Sequence, residues 1–353
     1  MKTSFVLLRE PGQPLWGAPL ETPVAGALEG NGSGSLFHVH PFNGPGAVYA
    51  LGHRFEGAEA LTQARAAHRE LPPLEGITSH DESSYKLLVQ RAVDACRDGA
   101  LTKVVTSRRV VHTPERVYDS VDAFAALCER YPDAMVYLLC REGQTTWMGA
   151  SPEWLLHREG SHLRTMSLAG TRPAGALGHW GAKEKEEQDL VTQDIAYMLR
   201  ALGATDLTVD GPHVRSAGPV EHLCTWIEGT LPPQASSWSL AQSLHPTPAV
   251  GGLPRARASA FLKRDQRSSS NGLPLASFPP VSCVVHPHEV PPSRSRAPAQ
   301  AWKSTSPSDT RAPQISVLET NTKATRTSEL QVSTTATGVS ALTNLGDNAP
   351  DSP

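Results

Sequence analysis

Residues 83–112 read SSYKLLVQRAVDACRDGALTKVVTSRRVVH, and this stretch decides the fold class because it holds a helical pattern and a strand pattern in direct succession. Apolar residues recur at every fourth position over 83–100, which predicts an amphipathic helix. The β-branched segment 101–112 that follows predicts a strand. Lys103 and Val105 lie on the same face of that strand, because side chains alternate along an extended chain.

Similar patterns continue outward from this stretch. A second amphipathic helix is predicted over 121–131, and a third, with the clearest apolar stripe, over 184–202. Three short strands are predicted between them, over 134–140, 145–150 and 162–168. Strands so close in sequence favour antiparallel pairing, so the chain is expected to be α/β, of the α+β type.

Composition excludes several classes of protein. The chain has 353 residues, of which 39% are hydrophobic and 19% charged, which is typical of one large globular domain or two ordinary ones. The net charge of −3 gives no basic excess for a nucleic acid or an anionic membrane, and no apolar run reaches a membrane-spanning length. The five scattered cysteines include no Cys-x-x-Cys pair, and the N-terminus has too short an apolar run for a secretory leader. We therefore expect a cytoplasmic protein without a disulfide framework.

Two side chains have the chemistry of a general base and a general acid. Lys103 lies on the predicted strand, and a lysine in a partly desolvated cleft gives up its proton more readily than one in water. Glu153 follows Ser151-Pro152 in a connection between two strands, where a carboxyl in a suitable environment could act as an acid. The alternatives are an edge-strand lysine in water and a solvated glutamate in a turn.

Three further features could bind an anion or a cation. Glu187 lies early in a helix and could hold a hard divalent cation, usually magnesium when the substrate supplies carboxylate oxygens, or it could only stabilise the helix dipole. The small residues within 167–175 let backbone N–H groups approach an anion, although a plain turn has a similar composition. His222 could donate to a ligand or could be a satisfied core residue.

These candidate residues lie in six short sequence motifs, which follow one another in a fixed order along 83–263. They are KVVTSR from 103, GASPEWL from 149, SLAGTR from 167, KEKEEQDLVTQDI from 183, EHL from 221 and LHPTPAVGGLP from 244. In this order they resemble the chorismate-utilising enzymes, most closely isochorismate synthase. The family also includes salicylate, anthranilate and aminodeoxychorismate synthases. The resemblance implies an α/β fold in which two large, mainly antiparallel sheets enclose the site and helices lie outside.

The resemblance also implies roles for individual residues. Lys103 matches the lysine that activates water for attack at C2 of chorismate, and Glu153 matches the acid that protonates the departing C4 hydroxyl. Glu187 matches a glutamate that binds Mg²⁺, the cofactor of the family. Loss of Lys103 or Glu153 is expected to abolish turnover without unfolding the protein. Further matching positions line the chorismate pocket: Ala169, Gly170, Thr171, His222, Thr247, Pro248 and Ala249.

Two differences from the ammonia-using members of the family indicate which nucleophile this chain uses. Members that use ammonia carry an Asp-Leu-x-Arg-Asn-Asp run after the helix glutamate, and many have glutamine in place of the base lysine. This chain has LVTQDIAYML from 190 and retains Lys103. Water is therefore the expected nucleophile, as in isochorismate and salicylate synthases, which share the lysine and differ by elimination of pyruvate.

The resemblance stops after Lys263, where the composition changes. Residues 264–313 hold nine of the thirty prolines and ten serines. We predict that the tract 264–318 is disordered and contains no strands, because prolines repeatedly remove backbone donors. The Arg-x-x-Tyr-x-Gly stretch of the family, its later strands with a substrate-binding arginine and its Gly-Ala-Gly turn are missing from this sequence.

A familiar motif returns after the tract. In VLETNTKA, residues 317–324, Glu319 resembles the second magnesium glutamate of the family and Lys323 the substrate-binding lysine that follows it. The tract has a composition unlike that of the family but nearly the same length, and the family motif follows it. This combination suggests a reading-frame excursion between about residues 264 and 318. Two compensating insertions or deletions on resequencing would support this hypothesis, and an unaltered sequence would remove it.

These observations predict a domain organisation and a function. Residues 1–75 are expected to be a sheet-forming part of the same domain as a chorismate-binding core, 76–263, followed by the tract and a remnant motif, 319–353. The expected protein is a magnesium-dependent isochorismate synthase that serves menaquinone or siderophore synthesis. The alternatives are a salicylate synthase and an inactive relative. The expected partner is chorismate, without nucleic acid or membrane, and the sequence leaves the oligomeric state open.

Overall fold

The computed structural model describes the backbone of residues 4–23, 36–40, 42, 47–67, 82–109, 119–141, 146–266, 281–285, 316–317, 319–325, 333–335 and 340–341. Side chains are described in these ranges as far as Arg264, except for Thr22, Pro23, His40, Arg108 and Arg109. None of the helices in these ranges is long and apolar enough to cross a membrane.

Most of the described strands and helices lie within residues 4–266, and a few short strands follow. The strands are β1 (Phe5–Arg9), β2 (Trp16–Pro23), β3 (Leu36–His40), β4 (Ala47–Leu51), β5 (Phe55–Glu56), β6 (Lys103–Arg109), β7 (Met135–Cys140), β8 (Trp147–Ser151), β9 (His157–Glu159), β10 (His162–Pro173), β11 (Thr205–Ala217), β12 (Val220–Thr230), β13 (Gly252–Leu253), β14 (Val281–Val285), β15 (Ser316–Val317), β16 (Glu319–Thr325), β17 (Ser333–Thr335) and β18 (Ser340–Ala341). The helices are α1 (Gly57–Ala67), α2 (Glu82–Arg97), α3 (Ser120–Arg130), α4 (Ala182–Ala201), α5 (Ser237–Leu244) and α6 (Arg255–Phe261), which continues as a π-helical turn, Leu262–Gln266.

An eight-stranded antiparallel sheet has the order β14-β3-β4-β2-β1-β7-β8, with β5 beside β2. Its central strand β1 is buried on both faces, which explains the unbroken apolar run FVLL. Phe5 and Leu7 pack with α1 and α3, whereas Val6 and Leu8 face the second core of this sheet. Because β1 pairs with β7, strands from the N-terminal region and strands that follow α3 share one sheet.

A four-stranded antiparallel sheet, β11-β12-β10-β9, carries α4 on one face. Val191, Ile195 and Leu199 form the apolar stripe of α4, and all three are fully buried against residues such as Leu163 of β10 and Ile227 of β12. Each such side chain contributes about 1.5–3 kcal/mol by its removal from water. This packing holds α4 against the sheet.

A second four-stranded sheet, β13-β6-β16-β17, contains β6 as an interior strand. Val104 of β6 packs with Leu88 and Ala92 of α2 in one core cluster. Lys103 and Val105 lie on the opposite face of β6, because neighbouring residues in a strand alternate. Helix α2 therefore covers one face of β6 and leaves the other for the candidate site.

The expected class, α/β with mainly antiparallel sheets, is confirmed by the structure. The three predicted helices correspond to α2, α3 and α4, and the segment 101–112 contains β6. Of the three predicted neighbouring strands, the first two pair as β7 and β8, whereas the third, β10, belongs to a different sheet. Among the described residues the strands form four sheets, of eight, four, four and two strands, instead of two large ones.

One local expectation was wrong, and one element was not anticipated. The N-terminal region contributes β1–β5 to the large sheet but also contains helix α1, whose sequence GAEALTQARAA has alanines of high helix propensity but only a weak apolar stripe. Strand β14 and strand β15 lie within the tract predicted to lack strands. The segment of β14, VSCVV, contains no proline and three β-branched valines, and it pairs with β3 at the edge of the large sheet. The remaining prediction for that tract lies outside the described residues.

Candidate active site

Lys103 lies at the first position of β6 and its side chain is fully buried. Its register partners are Leu253 of β13 on one side and Thr325 of β16 on the other, so β6 is not an edge strand at this point. The alternative of an edge lysine in water is therefore excluded. A buried ammonium group requires a partner, because an unpaired charge in the interior is costly.

The partners of Lys103 come from two other elements. Its Nζ lies 3.5 Å from Oε1 of Glu187, whose side chain is 2% exposed, and Nζ also donates to the backbone carbonyl of Pro248. The first contact joins the predicted base to the predicted metal ligand. Because both groups are shielded from water, their attraction is much stronger than that of a surface pair.

Glu187 lies in the second turn of α4, on the side of the helix that faces the sheet. Glu184 is the acidic residue of the first turn, where the helix dipole favours a negative charge. The burial of Glu187 beside Lys103 shows that it does more than stabilise the helix end. A buried carboxylate is also the type of oxygen ligand that Mg²⁺ takes, often with one or two protein carboxylates and oxygens of the substrate. Glu187 therefore fits the expected ion as one ligand.

The turn of residues 247–249 is buried between α5 and β13. The backbone carbonyl of Thr247 accepts hydrogen bonds from the N–H groups of Val250 and Gly251, and the Gly251 carbonyl accepts one from Val105 of β6. These bonds tie the turn to the strand that carries Lys103. They hold the Pro248 carbonyl where the amine of Lys103 donates to it.

Arg255 fixes the other side of this turn. Its Nε lies 2.9 Å from Oδ2 of Asp194 on α4, and its Nη1 donates to the carbonyls of Ser243 and Leu244, each at 3.0 Å, at the end of α5. The arginine thus joins α4, α5 and α6 around the turn. Sequence analysis did not single out Arg255 or Asp194, since their 61-residue separation gives no local signal.

Replacement of Arg255 by methionine is expected to lower the free energy of unfolding by about 3 kcal/mol, because it leaves the carboxylate of Asp194 and two carbonyls without their partner in a largely buried place. Urea unfolding of the variant measures the change. Arg257→Met is the matched control, since Arg257 lies on the same helix and is exposed. Equal unfolding midpoints for Arg255→Met and Arg257→Met would contradict the prediction.

Strand β10 contains a bulge at Gly170, between Ala169 and Thr171. Gly170 has φ +67°, a conformation that favours glycine, and an added Cβ would lie 3.2 Å from Cβ of Glu184. The bulge lets the backbone approach the start of α4 closely. The predicted pocket residues of SLAGTR are thus at an irregular point of the sheet.

His222 of β12 lies directly opposite this bulge. Its ring is buried, and Nδ1 lies 2.8 Å from Oγ1 of Thr171 and 3.2 Å from the carbonyl of Gly170. Because a carbonyl only accepts, the contact with Gly170 places a proton on Nδ1. The structure therefore brings three predicted pocket residues together.

Glu153 follows β8 and is half-buried, so the alternative of a fully solvated turn glutamate does not hold. Its N–H donates to Oγ of Ser151 at 3.3 Å. Burial raises the pKa of the Cys224 thiol to about 11, and the nearby charge of Glu153 adds to this rise. Glu153 is thus within electrostatic reach of Cys224, two residues from His222 on β12.

Glu319 and Lys323 lie on β16, for which the structure describes only the backbone. Lys323 is paired with Val105 and Glu319 with Arg109. Arg109 is six residues beyond Lys103, which corresponds to about 20 Å along the strand. Among the described side chains no group of three His, Cys, Asp or Glu residues could hold a metal. The role of Glu319 as a second magnesium ligand stays a prediction.

Comparison with known proteins assigns the chain to a family. The model of the chorismate binding enzymes matches residues 49–269, which is more than half of the chain. The protein therefore belongs to the chorismate binding enzyme family, as the six sequence motifs indicate.

Individual relatives are similar over part of their length. The salicylate biosynthesis isochorismate synthase of Pseudomonas aeruginosa is 29% identical over 202 residues, which cover 54% of this chain and 41% of that protein. Isochorismate synthase MenF of Escherichia coli is 32% identical over 199 residues, which cover 53% and 45% respectively. The chain thus spans about half the length of the curated relatives that it matches.

A solved structure shows the same fold. DhbC of Bacillus anthracis superimposes with a TM-score of 0.61. The superposition covers 75% of this chain and 78% of that chain at 23% identity. This likeness independently supports the arrangement of helices and antiparallel sheets described above.

Proposed function

We propose that this protein is an isochorismate synthase, which converts chorismate to isochorismate by addition of water at C2 and loss of the C4 hydroxyl. The observation that carries the proposal is the buried pair of Lys103 and Glu187, in which Nζ of Lys103 also donates to the Pro248 carbonyl. Hydroxyl exchange on a ring requires a base, an acid and a means to bind the substrate carboxylates. The names of the relatives in the comparison support this chemistry over its alternatives.

The residues have separate tasks in this proposal. In its deprotonated form Nζ of Lys103 takes a proton from the attacking water, and the ammonium that forms is the ion-paired state beside Oε1 of Glu187. The carboxyl of Glu153 gives a proton to the departing C4 hydroxyl, which leaves as water. Exchange of these protons with solvent restores both groups, so the reaction is a net isomerisation.

Binding of the substrate involves the bulge and the turn. The backbone of Gly170 and the hydroxyl of Thr171 lie beside His222, where they can orient the ring of chorismate. Glu187 would be one ligand of Mg²⁺, which when bound neutralises carboxylate charge on the substrate. Thr247, Pro248 and Ala249 close the side of the site next to Lys103.

Incubation of the purified chain with chorismate tests the proposal. Isochorismate is expected in the presence of millimolar MgCl₂, and its formation should stop when EDTA removes the metal. Chromatography separates isochorismate from salicylate, and a lactate dehydrogenase assay detects pyruvate. Salicylate with pyruvate would identify a salicylate synthase instead, and a folded chain that leaves chorismate unchanged would identify an inactive relative.

A further inference from the structure

Gln188 is a polar residue at the N-terminal end of the apolar stripe of α4. It lies one turn before Val191 and, like Val191 and Ile195, is fully buried against the sheet. Polar side chains are rarely so completely buried without a specific reason. The proposed chemistry does not use Gln188, so its burial calls for another explanation.

The side-chain amide of Gln188 joins the helix to two strands at once. Its Nε2 lies 3.1 Å from the carbonyl and 2.8 Å from Oγ of Ser167 on β10, and 2.9 Å from Oγ1 of Thr225 on β12. Ser167 and Thr225 are directly paired across the two strands. Oγ of Ser167 also lies 2.6 Å from Oγ1 of Thr192, one helical turn further along α4. A compact polar network therefore fixes this end of the helix.

Such a network limits the position of the helix more strictly than apolar packing does. Contacts between aliphatic side chains depend little on direction, whereas hydrogen bonds require distances of about 2.7–3.2 Å and suitable angles. A slide of α4 by one ångström along the sheet would lengthen or break the bonds of Gln188. The network thus sets the register of α4 on β10 and β12.

Glu187 directly precedes Gln188, so the register of this turn determines where the carboxylate of Glu187 lies. Oε1 of Glu187 is 3.5 Å from Nζ of Lys103 on another sheet, a distance that leaves little room for displacement. In addition, Oε1 of Gln188 has no hydrogen-bond partner within the described part of the chain. An unpaired buried acceptor is unfavourable, and an apolar side chain of similar length would avoid it. Stability alone therefore does not explain the glutamine.

We propose that Gln188 is a positioning residue, which directs Glu187 towards Lys103 by fixing the register of α4 on the sheet. The inference rests on the proposed function, in which Lys103 and Glu187 act at one site. Its structural consequence, however, is independent of turnover. Loss of the Gln188 network should weaken the interaction between Lys103 and Glu187 in the free protein.

A double-mutant cycle measures that interaction by urea unfolding in the presence of EDTA. The cycle consists of Lys103→Met, Glu187→Met and the double variant, made once in the natural sequence and once together with Gln188→Met. We expect the coupling between the two residues to fall to less than half in the Gln188→Met background. Leu199→Ala is the matched control background, because it destabilises the same helix far from the network, and there the coupling should be retained.

A kinetic measurement separates positioning from a general loss of stability. Gln188→Met is expected to lower kcat by about 10- to 100-fold, as a displacement of roughly one ångström in a catalytic group can do, whereas Leu199→Ala should leave kcat nearly unchanged. If Gln188→Met does not fold, Ser167→Ala combined with Thr225→Val removes the two bonds of Gln188 to side-chain hydroxyls, leaves the bond to the Ser167 carbonyl, and carries the same test.

The outcomes distinguish the two proposals. Unchanged coupling in the Gln188→Met background would overturn the positioning role, whatever the activity. Reduced coupling in a protein that does not convert chorismate would retain the positioning role and overturn the proposed function. Reduced coupling together with reduced kcat supports both.

Discussion

Replacement of Lys103 by methionine is expected to lower the rate of isochorismate formation by about 10²- to 10⁴-fold, the usual contribution of a positioned general base. The same change should lower the free energy of unfolding by about 3–5 kcal/mol, because it leaves the carboxylate of Glu187 buried without its cation. Product chromatography and urea unfolding measure the two effects. The sequence alone predicts loss of turnover without unfolding, and the buried pair changes that expectation.

The double variant Lys103→Met/Glu187→Met separates the two effects. Replacement of both members of a buried ion pair by apolar residues of similar size is often neutral for stability. We therefore expect the double variant to recover most of the lost stability while its activity remains as low as that of the single variant. A Lys103→Met protein as stable as the natural one would contradict the pairing with Glu187.

Glu153→Gln is expected to lower the rate by about 10²- to 10⁴-fold with little change in stability. The amide retains the size of the carboxyl but cannot supply the proton for the C4 hydroxyl. Because Glu153 is only half-buried, the free energy of unfolding should change by no more than about 0.5 kcal/mol. Steady-state rates with chorismate at saturating Mg²⁺ give the effect on activity.

Glu159→Gln is the matched control for Glu153→Gln. Glu159 lies six residues further along the chain, at the end of β9, and is exposed. The control removes the same charge from the same region but is expected to retain the full rate. Equal rates for the two variants would exclude Glu153 as the acid.

Local sequence patterns predict the elements that carry the candidate site. Helix α4 is recognisable because Val191, Ile195 and Leu199 repeat with helical spacing, and β6 because its segment is rich in β-branched residues. The resemblance to a family then indicates which residues on these elements bind or react. Neither the local patterns nor the resemblance shows that β6 is an interior strand, since its neighbours β13 and β16 follow it by about 150 to 220 residues in the chain.

The contacts that build the site escape prediction because they join distant residues. Lys103 meets Glu187 and Pro248, and Arg255 meets Asp194, only after two sheets and the helices α4, α5 and α6 have packed together. Gln188 did leave a signal, namely a polar residue at helical spacing before the apolar stripe of α4. The signal has no meaning from sequence alone, since the partners of the glutamine are on other strands.

The identity of the nucleophile is the central claim, and turnover of chorismate in ¹⁸O-labelled water tests it most directly. The purified chain with Mg²⁺ should form isochorismate that contains one oxygen from the solvent, attached at C2, as mass spectrometry of the product and its fragments will show. The reaction should fail in Lys103→Met. Unlabelled isochorismate would mean that the hydroxyl moves within the substrate, and it would contradict activation of water by Lys103.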